Sequence, residues 1–372
     1  YLLTALTEKS KRCKTDLHIC WLDLADAFGS VPHDVIWLTL DKMGLNSETL
    51  TVIQKLYEGS ESIYQCQDTF SEPIKILQGV KQGCPLSMTI FCLAIDFLIS
   101  GTTATQDVPK IQNEMIPMLA YADDLVVLAN TRSQLQTLVD RVVHLASWAH
   151  LRFKPAKCGY HSTLNPNTTQ SVIIYQTPIA VIDEKNTYKY LGVPHGSPKR
   201  HSIKDIMDQA LKDFEAVIAS QLTMKQKITA YKTFIASRFT YAFRTFDVPL
   251  TSLYMKSIRT SGIGNVDGIG YDASIVKMLK KAFRLPNSTT ADFIYTSKEL
   301  GGLAITSAYG DYLTQNIVSL FRLFNSPDPI IKALIRSELI DVAQPRDTPE
   351  VDSATALDWL AGAEPVTPLA GY

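Results

Sequence analysis

The chain has 372 residues, of which 46% are hydrophobic, and its 36 lysines and arginines nearly balance its 37 acidic residues, giving a formal net charge of −1. A chain of this length and composition can bury a sizeable core and form two domains or three small ones. The near-neutral charge argues against a dedicated nucleic-acid-binding protein, which is usually basic overall, but it does not exclude a polymerase with local basic groups and metal-binding acids.

The cysteines and the ends of the chain restrict the protein class further. None of the cysteines forms a C-x₂-C pair or groups with histidines at zinc-ligand spacing, so we expect reduced thiols of an intracellular protein and no zinc site here. No apolar run approaches the roughly 20 residues that span a bilayer. The chain begins at Tyr1 without a methionine or a secretory signal, so we expect a piece of a longer protein. The six cysteines are Cys13, Cys20, Cys66, Cys84, Cys92 and Cys158.

The first candidate residue for chemistry is Asp23, at the end of a nearly all-apolar stretch that predicts a central sheet strand. A lone acid at this position is either a cap or turn residue or a metal ligand. Phe28 follows five residues later, just past the predicted strand end. An aromatic ring there either packs in the core or lies against the sugar of a nucleotide.

A loop with two glycines, residues 78–87, precedes an apolar helix predicted over about 86–100. Within it, Gln82 and Gly83 would let a template strand or a nucleotide approach the backbone. This signal is weak by itself, and the loop is not a P-loop because no Gly-Lys-Ser/Thr follows.

Two adjacent acids, Asp123 and Asp124, lie between the apolar runs 119–121 and 125–129. The pattern predicts two buried strands joined by a tight turn at Ala122-Asp123-Asp124. Two neighbouring carboxylates in buried strands repel each other and lose hydration, and a divalent cation offsets both effects. The alternative is an exposed hairpin tip. Further along, Lys157 follows a predicted turn, where it is either an ordinary surface lysine or a cation and proton donor for leaving phosphates.

The second half of the chain is predicted to be mostly helical beyond a turn-rich linker at 194–199, with helices over about 203–221, 225–246, 250–259, 273–283 and 309–324 and a glycine-rich break at 262–270. The tail after residue 327 is predicted to form a helix or two before a loose end at 345–372. Basic side chains in this half either face water or track phosphates along a groove. These basic residues are Lys225, Lys227, Lys232, Arg238, Arg244, Lys256, Arg259, Lys277, Lys280, Lys281 and Arg284.

Carboxylates of this kind fit nucleotide transfer. Joining a nucleotide to a strand requires activation of a 3′-hydroxyl, neutralisation of charge at phosphorus and stabilisation of the leaving pyrophosphate. Two divalent cations held by hard oxygen ligands do all three, and Mg²⁺ suits carboxylates together with phosphate oxygens. Asp23, Asp123 and Asp124 would supply those ligands from adjacent strands, with the carbonyl of Leu24 completing the shell.

The order of these segments resembles the palm motifs A to E of reverse transcriptases, over roughly residues 1–325. Among them the chain looks most like non-LTR (LINE-type) retrotransposons, and within those like the site-specific branch that carries a restriction-like endonuclease. The matching segments are Asp23-x-x-x-Ala27-Phe28, Gln82-Gly83-x-Pro85-Leu86-Ser87, Tyr121-Ala122-Asp123-Asp124, Lys157 and Tyr190-Leu191-Gly192.

The resemblance implies an α+β right-hand polymerase fold. Residues 1–198 would form the palm, an antiparallel sheet with helices and partial fingers, residues 199–326 a helical thumb, and residues 327–372 a C-terminal connector or tail. It also implies RNA-directed DNA synthesis primed from a nicked DNA target, using two Mg²⁺ ions (with Mn²⁺ as a substitute) and deoxynucleoside triphosphates. The expected partners are therefore an RNA template and a DNA primer, without a membrane, and the expected site of action is the nucleus.

The resemblance also implies roles for individual residues. Asp23, Asp123 and Asp124 match the catalytic metal ligands, and Lys157 matches the motif D lysine. The matching substrate-binding residues are Leu24, Ala27, Phe28, Gln82 and Gly83, with Phe28 at the position that excludes a 2′-hydroxyl.

Two departures from the family pattern keep a second function open. Cys84 replaces the usual aspartate of motif B, and Lys154 stands where motif D usually has asparagine. The alternative is a catalytically compromised or repurposed domain that only binds nucleic acid. An RNA-copying RNA polymerase is a third possibility, against which Phe28 argues because such an enzyme needs room for the 2′-hydroxyl.

Overall fold

The structure is a computed structural model that describes residues 1–102, 108–111, 114–196, 203–246, 248–254, 270–286 and 288–343. The chain divides into two compact units, Tyr1–Pro198 and Lys199–Tyr372. The first unit combines a sheet with helices, and the described part of the second is helical. The predicted α+β class is thus confirmed at the level of mixed helix and sheet.

A five-stranded sheet forms the centre of the first unit. All of its neighbouring strands pair antiparallel except the last two, which pair parallel. The strand His18–Asp23 is in the middle, and its residues between the two ends are all buried, which is why the sequence there is almost entirely apolar. From edge to edge the strands are Met118–Tyr121, Asp124–Ala129, His18–Asp23, Gly159–Ser162 and Ala180–Val181.

The two faces of the central strand have different surroundings, because successive side chains of a strand point to opposite faces. Cys20 and Leu22 belong to the large core of the unit, which includes residues of the helices Ser87–Ser100 and Arg132–Trp148. Trp21, on the other face, stacks on Tyr188 with ring centroids 4.8 Å apart. Alternation places Asp23 on the Trp21 face, away from the helix-covered core.

The other elements of the first unit are short helices and strand pairs. Asn46 and Thr131 cap the helices that follow them by accepting a hydrogen bond from the backbone N–H three residues on. The helices besides the two already given are Leu2–Cys13, Ala27–Ser30, His33–Lys42, Ser47–Tyr57 and the 3₁₀ turn Pro155–Lys157. The paired strands are Glu61–Ser62 with Ile74–Lys75, Gln65–Cys66 with Thr69–Phe70, Lys110–Ile111 with Glu114–Met115, Ile173–Ile174 with Thr177–Pro178, and Thr187–Tyr190 with Val193–Gly196.

The second unit packs helices around an aromatic core that contains Phe214, Phe239, Phe243 and Tyr271. One long helical segment is interrupted by the π-helical turn Tyr231–Ile235, where the sequence predicted an unbroken helix over 225–246. The described helices are Lys204–Ala219, Met224–Ala230, Phe239–Thr245, Leu250–Tyr254, Tyr271–Ala282, Asp292–Tyr295, Ala308–Phe324 and Pro329–Ala343, with 3₁₀ turns at Ala236–Arg238 and Lys298–Leu300.

Three predicted elements differ in the structure. The strand Met118–Tyr121 is not buried throughout: it forms the sheet edge, and Ala120 and Tyr121 are exposed. The turn consists of Ala122 and Asp123, and Asp124 is already the first residue of the next strand. The segment predicted as one strand at 188–193 is divided between two strands: residues 188–190 end the first strand of a hairpin, Leu191 and Gly192 form its turn, and Val193 begins the second strand.

Several predicted segments are partly or wholly outside the described residues. These are the end of the linker at 197–199, the helix beyond Tyr254, the glycine-rich break up to residue 269 and the tail from residue 344. Among the residues that the structure describes, no helix is both long and apolar enough to cross a membrane.

Candidate active site

Asp23 and Asp124 lie directly opposite each other on neighbouring antiparallel strands. Directly opposite residues of such a pair project to the same sheet face. Asp123 is the second residue of the adjoining two-residue turn, whose first residue, Ala122, has a φ of 53°. The structure therefore brings two of the predicted acids together, with the third one residue away.

The electrostatics of these acids fit a site that attracts cations. Burial raises the pKa of Asp124, and the negative charges of Asp123 and Asp23 raise it further. Within the described chain, the buried Oδ2 of Asp23 has no hydrogen-bond partner. Its ion-pair neighbour is Lys157, whose Nζ is 3.9 Å away. Because 63% of the Lys157 side chain is exposed, this ion pair compensates the buried oxygen only weakly.

The carboxylates at the strand ends are the right type of ligand for a divalent cation, but too few of them are gathered at one point. Carboxylate oxygens are the ligands that Mg²⁺ prefers, and Asp23 and Asp124 supply them side by side. However, no group of three His, Cys, Asp or Glu side chains in the described ranges is gathered closely enough to hold a metal ion. The predicted three-carboxylate centre is therefore not assembled in this structure, since Asp123 is in the turn beside the pair.

The turn that carries Lys157 is attached to the backbone of Asp23. Lys154 N–H donates to the Asp23 carbonyl at 2.9 Å. The Sγ of Cys158 accepts a hydrogen bond from Asp23 N–H at 3.5 Å, and its thiol donates to the Lys154 carbonyl at 3.3 Å. Burial raises the pKa of Cys158 to about 11, which keeps the thiol protonated and able to donate.

Phe28 is held from two sides. Its ring packs on the buried ring of Phe91 with centroids 4.5 Å apart, and its carbonyl accepts a hydrogen bond from Val80 N–H at 2.8 Å. Gly79 has a φ of 84°, and a Cβ there would be 2.8 Å from the Cα of Gly29. Only glycine lets this loop approach so closely, so the ring of Phe28 has a fixed position.

The other predicted substrate residues are placed less directly. The side chains of Leu24 and Ala27 are buried, so any contact with a nucleotide there is left to backbone atoms. Gln82 and Gly83 form an exposed turn. The residues of their loop that touch the Phe28 segment are instead Gly79 and Val80.

Sequence reasoning missed three residues that shape this site: Gly79, Cys158 and Tyr188. Gly79 had a signal, since it is the first glycine of the loop. Tyr188 stacks on Trp21 and its hydroxyl donates to the Lys157 carbonyl at 3.0 Å. Tyr188 and Cys158 contact residues distant in the sequence, and no local sequence pattern predicts these contacts.

Several of the predicted phosphate-tracking cations of the second unit are engaged within that unit. Lys256 and Arg259 lie outside the described residues. The engaged groups are Lys227 Nζ, which donates to the Ile218 carbonyl, Lys232 Nζ, which donates to the Leu303 carbonyl, Arg238, which pairs with Asp213, and Arg244 Nε, which donates to Gln315.

Comparison with known proteins finds a matching family model and similar proteins from retrotransposable elements. A family model described as reverse transcriptase (RNA-dependent DNA polymerase) matches residues 3–195, more than half of the chain. The retrovirus-related Pol polyprotein from the type-1 retrotransposable element R2 of Nasonia vitripennis is 27% identical over 312 residues, covering 82% of this chain. The corresponding protein from the type-2 element R2DM of Drosophila melanogaster is 28% identical over 298 residues, covering 78% of this chain.

The chain spans only 29% and 26% of the lengths of these two relatives. Among solved structures, telomerase from Candida tropicalis in complex with a fragment of telomeric RNA matches 90% of this chain and 51% of its own, with 12% identity and a TM-score of 0.38. A TM-score of this size carries no argument about the fold.

Proposed function

This chain belongs to the reverse transcriptase (RNA-dependent DNA polymerase) family, and from that premise we propose that it copies RNA into DNA as the polymerase segment of a retrotransposon protein. The pairing of Asp23 with Asp124 across neighbouring strands, with Asp123 in the adjoining turn, carries the proposal. The R2 relatives, which are Pol polyproteins of retrotransposable elements, support it.

Asp23, Asp123 and Asp124 would hold two divalent cations, Mg²⁺ or in its place Mn²⁺. The Oδ2 of Asp23, which has no hydrogen-bond partner, and the raised pKa of Asp124 support this role. The chemistry that such cations supply is activation of the 3′-hydroxyl of the primer and stabilisation of charge at phosphorus and on the leaving group. Asp123 has to join the other two acids for this set of ligands to be complete.

The remaining site residues would act on the deoxynucleoside triphosphate. Lys157, held beside Asp23, places a positive charge and a transferable proton near the leaving phosphates. The fixed ring of Phe28 would lie against the sugar, where it leaves no room for a 2′-hydroxyl. Gln82 and Gly83 would form the exposed part of the loop that meets the template or the nucleotide, and the backbone at Leu24 and Ala27 would border it.

The two units would correspond to parts of a right-hand polymerase. We assign the first to the palm with partial fingers, because its sheet carries the acids, and residues 199–326 to a helical thumb, followed by a connector. We further propose that the parent protein acts in the nucleus, that a restriction-like endonuclease elsewhere in it nicks the DNA target, and that the nicked end primes synthesis on the RNA template.

One observation favours a second candidate function, a domain that binds nucleic acid without catalysis. Within the described ranges, no three metal-ligating side chains are gathered into a metal centre. The polymerase is the better proposal, because partial loss of hydration and repulsion from the charges of Asp123 and Asp23 raise the pKa of the exposed Asp124, and a bound cation would offset that repulsion.

Primer extension distinguishes the two functions. We would follow extension of a DNA primer on an RNA template with Mg²⁺ and deoxynucleotides, with this chain and with its longer parent protein. The test variant is Asp123→Asn, and Asp68→Asn, in an exposed turn of the same unit, is the matched control. Extension by the wild type and the control but not by the test variant supports the polymerase. If a folded parent protein binds the primer–template but does not extend the primer, the second function, nucleic-acid binding without catalysis, is supported instead.

A further inference from the structure

An open cavity of about 510 Å³ lies in the first unit, and none of the acids at the strand ends lines it. It is bordered by the helices His33–Lys42 and Ser47–Tyr57 and by the strand Ile74–Lys75. Its volume is in the range of small-ligand sites.

Three aromatic rings line this cavity, and each of them contacts the other two. The ring centroids of His33 and Trp37 are 5.7 Å apart, those of His33 and Tyr57 are 5.2 Å apart, and those of Trp37 and Tyr57 are 5.5 Å apart. Tyr57 is buried, and His33 and Trp37 are half-buried. The cluster is therefore a fixed apolar wall with flat surfaces that remain partly accessible.

The polar side chains of the cavity match one ligand class. Lys55 and Lys75 line it and are exposed, and Gln54 lines it as well. The exposed acid Glu58, which also lines it, offsets one of the two positive charges. Aromatic rings with nearby cations and an amide are the combination that binds an unpaired nucleobase: the base stacks on a ring, and the cations meet the adjoining phosphates.

The cavity wall is connected to the loop that fixes Phe28. The Nε2–H of His33 donates to the Gly79 carbonyl at 3.0 Å, and His33 N–H donates to the Leu77 carbonyl at 3.2 Å. Lys81 Nζ is 5.4 Å from the centroid of the Tyr57 ring and donates to the Leu56 carbonyl. A strand that occupies the cavity therefore borders the same loop as the proposed nucleotide site.

We infer that this cavity binds one unpaired base of the RNA template, stacked against Trp37, with Lys55 and Lys75 at its phosphates. The inference rests on the proposed polymerase function and adds a template contact to it. An incoming nucleotide is the weaker candidate, because its triphosphate is proposed to lie at the acids and Lys157.

Binding of a DNA primer annealed to a fluorescent RNA template with a single-stranded overhang tests the inference, with fluorescence anisotropy as the readout. Trp37→Leu should weaken binding on the order of ten- to a hundredfold, the effect of losing one stacked base. The double variant Lys55→Gln/Lys75→Gln should weaken it by a smaller factor that shrinks as salt rises. Trp148→Leu is the matched control, since Trp148 is an exposed tryptophan of the same unit.

Templates with one abasic position, moved stepwise along the overhang, identify the bound base. We expect a single abasic position to weaken wild-type binding as much as Trp37→Leu does, and to add nothing in the Trp37→Leu protein. Equal binding by the wild type and both test variants overturns the inference. It is also overturned if the losses from Trp37→Leu and from the abasic site add up fully at every template position. If Trp37→Leu does not fold, the lysine variant and the abasic series decide alone.

Primer extension by the wild type, measured in the same samples, separates this inference from the proposed function. If the wild type extends the primer and the cavity variants bind the primer–template as the wild type does, the template site is refuted and the polymerase function is supported. Cavity-dependent RNA binding without any extension by the parent protein refutes the polymerase and keeps a base-binding site.

Discussion

The hydroxyl of Tyr188 donates a hydrogen bond to the backbone carbonyl of Lys157 at 3.0 Å. Its ring is stacked on Trp21, two residues before Asp23 in the central strand. Burial raises the pKa of Tyr188 well above its usual value, so the hydroxyl keeps its proton at any physiological pH. Tyr188 therefore links the hairpin Thr187–Gly196 to the turn that presents Lys157 beside Asp23.

Tyr188→Phe removes this hydrogen bond and keeps the stacked ring. We expect nucleotide incorporation to slow by about two- to tenfold, the value of one hydrogen bond that positions a proton donor. Single-turnover extension at several pH values is the measurement, because loss of positioning should alter the pH profile in the same direction as Lys157→Ala. In a Lys157→Ala background Tyr188→Phe should have no further effect, and additive losses would contradict the link.

Asp23→Asn should abolish stabilisation of the first unit by Mg²⁺. In the wild type, a cation that binds only the folded state raises the melting temperature, and the stabilisation grows with the logarithm of the cation concentration above the dissociation constant. The substitution removes the negative charge at the buried oxygen that has no hydrogen-bond partner. Thermal unfolding with and without Mg²⁺ is the measurement, and Asp68→Asn serves as the control. A Mg²⁺-induced shift that survives in Asp23→Asn would show that the cation binds elsewhere.

Phe28→Val should admit ribonucleotides. The valine side chain is shorter than the ring now fixed against Phe91, so space opens where a 2′-hydroxyl would lie. We expect the preference for deoxynucleotides over ribonucleotides to fall on the order of ten- to a hundredfold, the range over which steric pockets discriminate. Competitive incorporation of the two nucleotide types measures it, and Phe28→Tyr, which keeps the ring, should retain the preference. Unchanged selectivity in Phe28→Val would assign Phe28 to the core alone.

Local sequence signals were sufficient for the elements that local interactions decide. The helix predicted over about 86–100 is confirmed as Ser87–Ser100, because its long apolar run is a signal in the local sequence. The apolar run before Asp23 predicts a central strand, and that strand is central in the sheet.

The remaining geometry depends on positions that carry no local signal. Which acid faces Asp23 is set by the two-residue turn, where Ala122 adopts a φ of 53° that alanine rarely takes. Leu191, with a φ of 48°, likewise turns the hairpin that was predicted as one strand. Such conformations are imposed by strand pairing in three dimensions, so register and turn type could not be predicted from the residues involved.

His195 should make the first unit lose stability in mild acid. Burial is the largest cause that lowers its pKa to about 4 from 6.5, and its ring is 6.2 Å from Trp21. The native state therefore binds fewer protons than the unfolded chain between these two pH values, so stability falls as pH drops from 6.5 and the contribution is lost by about pH 4. Urea unfolding from pH 4.5 to 7.5 should show a shallower decline in His195→Gln. The neighbouring His161, whose pKa burial also lowers, will leave part of the slope in place, but an identical slope in both proteins would contradict the assignment.

Asp272→Ala should destabilise the second unit selectively. The buried carboxylate of Asp272 accepts hydrogen bonds from Ala308 N–H at 2.7 Å and Tyr309 N–H at 3.0 Å, and so satisfies the start of the helix Ala308–Phe324 from a different helix. These bonds lower the pKa of Asp272, but burial has the larger effect and raises it overall, so the carboxylate depends on both donors. Alanine removes the acceptor of two backbone N–H groups near the core, at a cost of about 1–3 kcal/mol. Hydrogen exchange should report faster amide exchange in the first turn of that helix while the central sheet of the first unit keeps its protection. Asp272→Asn retains one acceptor and should lie between the wild type and the alanine variant. Protection equal to wild type in Asp272→Ala would show that the Ser307 hydroxyl, which accepts from Gly310 N–H at 3.0 Å, holds the start of this helix without Asp272.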